Sequence, residues 1–212
     1  MYFSRIELDM RKRSTMKAIS SPSLFHGAIE SSFIGERNRR LWRIDKLGGY
    51  TYLLVLSEDK PDFLNFAKQF CSEKSECPWQ TKSYDTLLDK IEDGTKWHFR
   101  LVANPTISKK TEKKSSERGK IYAHITPYYQ KKWLLDRCEN NGFMVREQDL
   151  YVTQSVWKRF YKNGNKLISF LSVTYEGMLS VTDSKKFKAC LQDGIGRGKA
   201  YGMGLLTVVQ RG

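Results

Sequence analysis

One pattern limits the possible folds more than any other: the succession strand, helix, hairpin, helix, strand can be followed twice along the 212 residues. Tyr2 to Leu8 alternates, with Tyr2, Ser4, Ile6 and Leu8 on one face and Phe3, Arg5 and Glu7 on the other, and so predicts a first strand. A basic turn follows, Arg11-Lys-Arg13 with Lys17. Ser21 as N-cap and Pro22 at the first helical position then predict a helix start. Leu24, Phe25, Ala28, Ile29 and Phe33 form its apolar stripe, while Ser23, His26, Gly27 and Glu30 share the opposite face. Arg40 to Asp45 and Tyr50 to Leu56 read as a hairpin around Gly48-Gly49, and Pro61 to Phe70 as a second helix. Trp97 to Asn104 alternates again and is expected to close the first set.

The second set starts at Ile121-Tyr-Ala, with a helix from Pro127 to about Asn140 whose apolar face is Trp133, Leu134 and Cys138. Phe143 to Val145 is strand-like. Tyr151 to Lys162 and Lys166 to Val181 form a long hairpin around Asn163-Gly164, a strong turn signal. Ser184 to Leu191 is helical, and an apolar run, Leu205 to Val209, ends the set. Between the sets, Ser108 to Lys120 holds six cations, two acids and no large apolar residue, which predicts a mobile linker. The expected fold is α+β: two tandem ferredoxin-like (βαββαβ) domains, residues 1–107 and 120–212, joined by a basic linker over 108–119.

A glycine-rich loop precedes the last strand. Gly194, Gly196, Gly198, Gly202 and Gly204 are five of the chain's 15 glycines, with Arg197 and Lys199 between them. It is not a P-loop, whose first glycine and final hydroxyl would stand where Asp193 and Ala200 are. Nor is it a dinucleotide fingerprint, whose last glycine would replace Lys199. Two readings remain: backbone amides and cations that approach a phosphate, or a tight connection with close backbone packing.

Charge selects the partner. With 37 Lys+Arg against 23 Asp+Glu the formal charge is +14, which favours a polyanion through counterion release. Aromatic residues make up 13% of the chain, enough for a core and for stacking surfaces. Nucleic acid is the leading partner. An anionic membrane surface is the second, weakened because no helix pairs a basic face with a broad apolar one. No stretch approaches a membrane span, and no signal peptide is expected. Cys71, Cys77, Cys138 and Cys190 form no C-x-x-C pair, so free thiols in a reducing cytoplasm are expected, with no metal site and no cofactor.

His26 lies near a helix start on a polar face, where it can take a proton from a ribose 2′-hydroxyl or give one to a leaving 5′-oxygen. An ordinary exposed histidine is the alternative. His98 and His124 receive no role. Lys158, Arg159, Lys162 and Lys166 flank the Asn-Gly turn with no acid between them. They suit structured RNA, or they protect an edge strand.

Taken together, the Met-Tyr-x-Ser-Arg start, Ser-Pro-x-x-x-His26, Phe99-Arg-Leu-Val-Ala-Asn-Pro105 and the terminal Gly-x-Gly-Arg-Gly-Lys-Ala-Tyr-Gly-x-Gly-Leu-Leu resemble the CRISPR repeat-processing endoribonucleases of type I-E systems, the CasE family. The resemblance runs over essentially the whole chain. It implies metal-independent cleavage at the 3′ base of a repeat hairpin by 2′-hydroxyl attack, leaving a 2′,3′-cyclic phosphate and a 5′-hydroxyl. It also implies a cytoplasmic protein, monomeric before assembly, that stays on the mature guide RNA as a subunit of the Cascade complex. By motif position His26 matches the catalytic histidine, and Lys158, Arg159 and Lys162 match a basic hairpin that enters the RNA major groove. Arg11, Arg13, Lys17, Lys166, Arg197 and Lys199 are further RNA-binding candidates on charge. Ser23 stands where some members carry an assisting tyrosine; a serine there can hydrogen-bond a phosphate but is a poor general base.

Overall fold

The computed structural model describes residues 1–35, 38–109, 119–162 and 166–210. Two four-stranded antiparallel sheets, each with helices on one face, make two ferredoxin-like units in tandem. The first sheet has the order β2-β3-β1-β4, from β1 (Tyr2–Glu7), β2 (Leu41–Leu47), β3 (Tyr50–Ser57) and β4 (Trp79–Ser83). Its helical face carries α1 (Arg13–Ser20), α2 (Ser23–Glu30) and α3 (Leu64–Phe70). Alternation sends Ile6, Trp42, Leu53 and Val55 beneath these helices, onto Phe25, Phe63, Phe66 and Phe70. The Phe25 and Phe70 rings approach to 5.0 Å, Phe66 and Phe70 to 4.7 Å. A short helix, α4 (Asp85–Leu88), follows β4.

The second sheet has the order β10-β5-β9-β8, from β5 (Lys96–Ala103), β8 (Phe143–Lys162), β9 (Lys166–Val181) and β10 (Leu206–Val209). Helices α5 (Pro127–Cys138) and α6 (Ser184–Asp193) belong to this unit, and Trp133, Leu134, Phe187 and Leu191 share one core with Leu101, Val173 and Tyr175. In both sheets the third strand pairs with the first and second, and the fourth with the first, the connectivity of the fold.

Three expectations are corrected. Trp97 to Asn104 does not close the first sheet. Its strand, β5, lies between β10 and β9 and opens the second set. The first sheet is closed by β4, paired with β1 from Tyr2↔Ser83 to Ile6↔Trp79. The change of sheet therefore falls between Ser83 and Lys96, upstream of the expected linker. The physical reason is that β4 is a short edge strand, Trp-Gln-Thr-Lys-Ser, whose inward residues Trp79 and Thr81 are only half-buried and include a single apolar side chain, whereas β5 is central and alternates cleanly.

Second, Ile121-Tyr-Ala is not the first strand of a domain. As β7 (Lys120–Ala123) it pairs with β6 (Thr106–Lys109), so the ends of the expected linker form a two-stranded hairpin within the β5–α5 connection. Residues 110–118, on which the expected mobility rested, lie outside the described residues, as does the Asn163-Gly164 turn.

Third, the expected basic turn extends only to Lys12: Arg13 opens helix α1, which carries Lys17, and Ser21 caps its C-terminus rather than starting α2, its N–H donating to Lys17 O at 2.9 Å. This eight-residue helix has no side-chain N-cap and buries only Thr15 and Ala18. Tertiary bonds hold it. Ser14 Oγ donates to Gln69 O (2.6 Å), Thr15 Oγ1 to Phe70 O (3.1 Å) and Lys12 Nζ to Lys68 O (3.0 Å), satisfying the carbonyls left open at the end of α3. Among the described residues no helix is long and apolar enough to cross a membrane.

Candidate active site and nucleic-acid interface

Helix α2 presents His26 one turn after Pro22. Its buried Nδ1 lies 3.9 Å from Glu30 Oε1, one turn further on. Glu30 Oε2 accepts a hydrogen bond from Arg40 Nη1 at 2.7 Å, and the buried Arg40 guanidinium lies 4.0 Å from the Phe33 ring centroid. The carboxylate is thus anchored by a cation that packing holds in place, and it faces the imidazole through Nδ1. An imidazole oriented this way presents Nε2 for proton transfer. The i, i+4 spacing of His26 and Glu30 was a readable signal for this pair. Arg40 arrives from outside the helix and left none.

Two clefts flank α2. One, of about 480 Å³, is lined by Ser14 and Lys17 of α1, by Ser23 and Gly27 of α2, and by Gln69 of α3. Ser23 and Lys17 thus share one opening, with Ser23 Oγ also 3.2 Å from Ser21 Oγ. The other, of about 400 Å³, brings Pro22 together with Trp42 of β2, with Gln154 and Lys158 of β8, and with Tyr201 and Gly202 of the glycine-rich loop. The two halves of the chain meet there.

The loop explains the contact. Its one-turn 3₁₀ segment, Lys199–Tyr201, lies against α2 and β2. Gly202 has φ +79°, and a Cβ there would stand 2.8 Å from Trp42 Cζ3; at Gly194, φ +72°, it would stand 2.7 Å from Gly204 O and 2.8 Å from Leu41 Cδ1. Only glycine fits at such contacts in this conformation. Tyr201 then stacks on Phe170 (5.7 Å, 17°) and meets Phe160 edge-on (5.2 Å), fastening the loop to the β8–β9 ribbon. Close packing accounts for these glycines without a phosphate.

The remaining candidates divide. Register places Lys158 opposite Phe170 and Lys162 opposite Lys166, so these three cations share the ribbon face that carries Phe160, Phe170 and the loop. Arg159, opposite Ser169, points to the other face. Arg13 is exposed at the start of α1. Arg11 forks onto Asp9, Nε to Oδ1 and Nη2 to Oδ2, both at 3.0 Å, and its guanidinium holds that carboxyl down at about 2. Arg197 is exposed in a separate groove with Asn104, Trp133 and Arg137. Lys199 donates to Asp193 O at 2.5 Å, its ammonium lowered below its ordinary value first by burial, then by Arg39. It braces the loop. The structure therefore puts Ser23 and Lys17 in one cleft beside α2 and Lys158 in the other, leaves His26 on the same helix but lining neither, and puts Arg197 in a separate groove.

The sequence profile described as CRISPR associated protein matches residues 1–210. The chain is 26% identical to the CRISPR-associated endoribonuclease Cse3 of Thermus thermophilus, over 98% of this chain and 99% of that one. It is also similar to the structure of CRISPR endoribonuclease Cse3 bound to a 19-nucleotide RNA, with TM-score 0.81 and 25% identity over 99% of both chains. A structure of Thermus thermophilus Cse3 with an RNA representing a pre-cleavage complex gives TM-score 0.78 at 25% identity, over 99% of this chain and 98% of that one. Matched over nearly its whole length by that profile, the chain belongs to the CRISPR-associated protein family, as a CasE-type member.

Proposed function

We propose that the chain is an endoribonuclease that binds the hairpin of a CRISPR repeat and cuts the precursor RNA at the 3′ base of the stem. The observation that carries the reading is the cleft in which the start of the His26 helix, Lys158 of the ribbon and the glycine-rich loop converge. Lys158, Lys162 and Lys166 bind stem phosphates on the ribbon's inner face, Arg159 adds charge at its edge, and Arg13 extends the positive surface. This sets the scissile phosphate beside α2. His26, held through Nδ1 by Glu30, exchanges a proton at Nε2, either removing it from the 2′-hydroxyl or supplying it to the departing 5′-oxygen. The 2′-oxygen attacks phosphorus as the P–O5′ bond breaks, giving a 2′,3′-cyclic phosphate and a 5′-hydroxyl. Positioning in line supplies much of the acceleration, and no metal is required for proton transfer by histidine. Ser23 Oγ and Lys17 Nζ bind a phosphate oxygen from the neighbouring cleft. The protein then stays, as the CasE resemblance implies, on the guide RNA it has released, within Cascade in the cytoplasm.

The test is cleavage of a labelled repeat hairpin in EDTA. Wild type is expected to cut, a substrate with a 2′-deoxy residue at the scissile nucleotide to survive, and His26→Ala to bind but cut at least about 100-fold more slowly. Tight binding by wild type without any cleavage would instead make the chain a hairpin-binding subunit. The replacement of an assisting tyrosine by Ser23 favours that second reading.

A further inference from the structure

The long ribbon has a second face, of which the proposed cleavage uses only Arg159. Trp157 pairs opposite Leu171, which is buried in the core shared with α5, so Trp157 and, four residues on, Tyr161 lie on the α5 side of β8. Gln130 of α5 fastens the helix to this side, Nε2 donating to Ser155 Oγ at 3.0 Å. Just before Gln130, Tyr128 and Tyr129 project from the first turn of α5. These four rings remain 64% (Tyr128), 53% (Tyr129), 45% (Trp157) and 63% (Tyr161) exposed, too open for core residues. Tyr129 is held flat by His124, stacked at 5.8 Å and 21°, and burial followed by the nearby Arg137 lowers the pKa of that imidazole, keeping it a neutral ring. From Ser155 to Tyr161 the ribbon runs about 20 Å.

The segments around these rings are basic. Residues 104–109, 119–135 and 150–162 contain no Asp or Glu and include Lys109, Lys120, Lys131 and Arg159, while Lys132 is paired with Asp136 at 3.1 Å. A surface of exposed flat rings among an excess of cations matches a strand whose bases are unstacked and whose backbone is anionic. Duplex RNA is a poor match, because its base faces are hidden in the stack.

We propose that the outer face of the β8–β9 ribbon, with the first turn of α5, is a second RNA site that takes an unpaired segment continuous with the bound hairpin, its bases stacking on Trp157, Tyr161, Tyr128 and Tyr129. The proposal rests on the hairpin-binding reading only for the word "continuous"; the stacking surface itself is independent of it.

Anisotropy titrations with four RNAs test it: the bare repeat hairpin, the hairpin with about eight unpaired nucleotides on one side, the same on the other side, and the unpaired strand alone. Wild type is expected to bind one extended hairpin on the order of tenfold tighter than the bare one. Tyr128→Ala/Tyr129→Ala and Trp157→Ala lose that gain and weaken the unpaired strand, yet bind and cut the bare hairpin within about twofold of wild type. Tyr128→Phe/Tyr129→Phe, which keeps the rings, restores it. The proposal is overturned if neither extension tightens binding, if the alanine variants weaken the bare hairpin equally, or if they leave all four RNAs unchanged, which would assign the patch to a protein partner. Failure of wild type to bind the bare hairpin, with ring-dependent binding of the unpaired strand intact, would sink the hairpin-processing reading and leave this site standing.

Discussion

Two glycines near the site, Gly27 and Gly202, have opposite physics. At Gly202 the backbone is left-handed and Trp42 fills the space a Cβ would need, so Gly202→Ala combines strain with overpacking. It is expected to cost about 1–3 kcal/mol in a denaturant melt and to disturb the contact of the loop with α2, slowing cleavage as well. At Gly27, in the middle of α2, a Cβ meets nothing within 4 Å and φ is helical. Gly27→Ala should raise stability by about 0.5–1 kcal/mol. A loss there would mean that the helix is not formed as described. These two residues show why a glycine count could not tell a phosphate cradle from close packing. The difference lies in what stands opposite each Cα, and Trp42 is 160 residues away from the glycine it requires.

At the scale of elements, Arg43 joins the units. It is buried, and each of its five N–H donors has an acceptor: Nε and Nη2 fork onto Asp45 (2.8 and 2.6 Å), Nη1 donates to Arg100 O and Leu205 O (2.9 and 2.8 Å), and Nη2 also reaches Thr207 Oγ1 (2.8 Å). The acceptors lie on β2, on β5, just before β10 and on β10 itself, so one side chain ties the first sheet to the edge of the second. Arg100 extends the network to Asp45 (3.5 Å) and Glu176 (3.1 Å). Arg43→Met fits the space but strands the Asp45 carboxylate and two carbonyls, and is expected to cost about 3–5 kcal/mol. Because the cleft between α2 and the ribbon depends on how the units sit, surviving protein should also bind the repeat hairpin more weakly; unchanged affinity would show that the loop alone sets that geometry. By alternation Arg43 falls with Asp45 on the face opposite Trp42 and Ile44, which lie under the helices, so in the sequence it reads as an ordinary polar-face cation; its burial and its acceptors on the other unit were not readable.

Across the whole molecule, burial pushes three thiols up, Cys71 to about 11 and Cys138 and Cys190 to about 12, while Cys77 is exposed. At pH 8 a chromogenic thiol reagent should therefore titrate one group quickly in the native protein and four after denaturation. The same shifts fix a pH dependence. Above about pH 9 the unfolded chain releases thiol protons that the folded chain keeps, so stability is intact below that value and falls as pH rises toward 11–12. Replacing the three buried cysteines by alanine should flatten this limb of the stability curve.

What the sequence by itself determined were features written in local pattern. The double βαββαβ order, the hairpin around Gly48-Gly49, the helix after Pro127 and the placing of His26 on a polar helical face all follow from alternation, 3.6-residue spacing and turn chemistry acting within about twenty residues. Tertiary structure alone decided which sheet takes which strand. The edge strand β4 carries only one apolar residue in a weak alternation, because it buries little, while the well-patterned β5 fits either sheet on propensity. Helix α1 exists because the open carbonyls at the end of α3 accept its side chains, and the two faces of the ribbon acquired different partners because α5 packs on one and the glycine-rich loop on the other. Contacts of this kind join residues tens to more than a hundred positions apart, and local spacing holds no record of them.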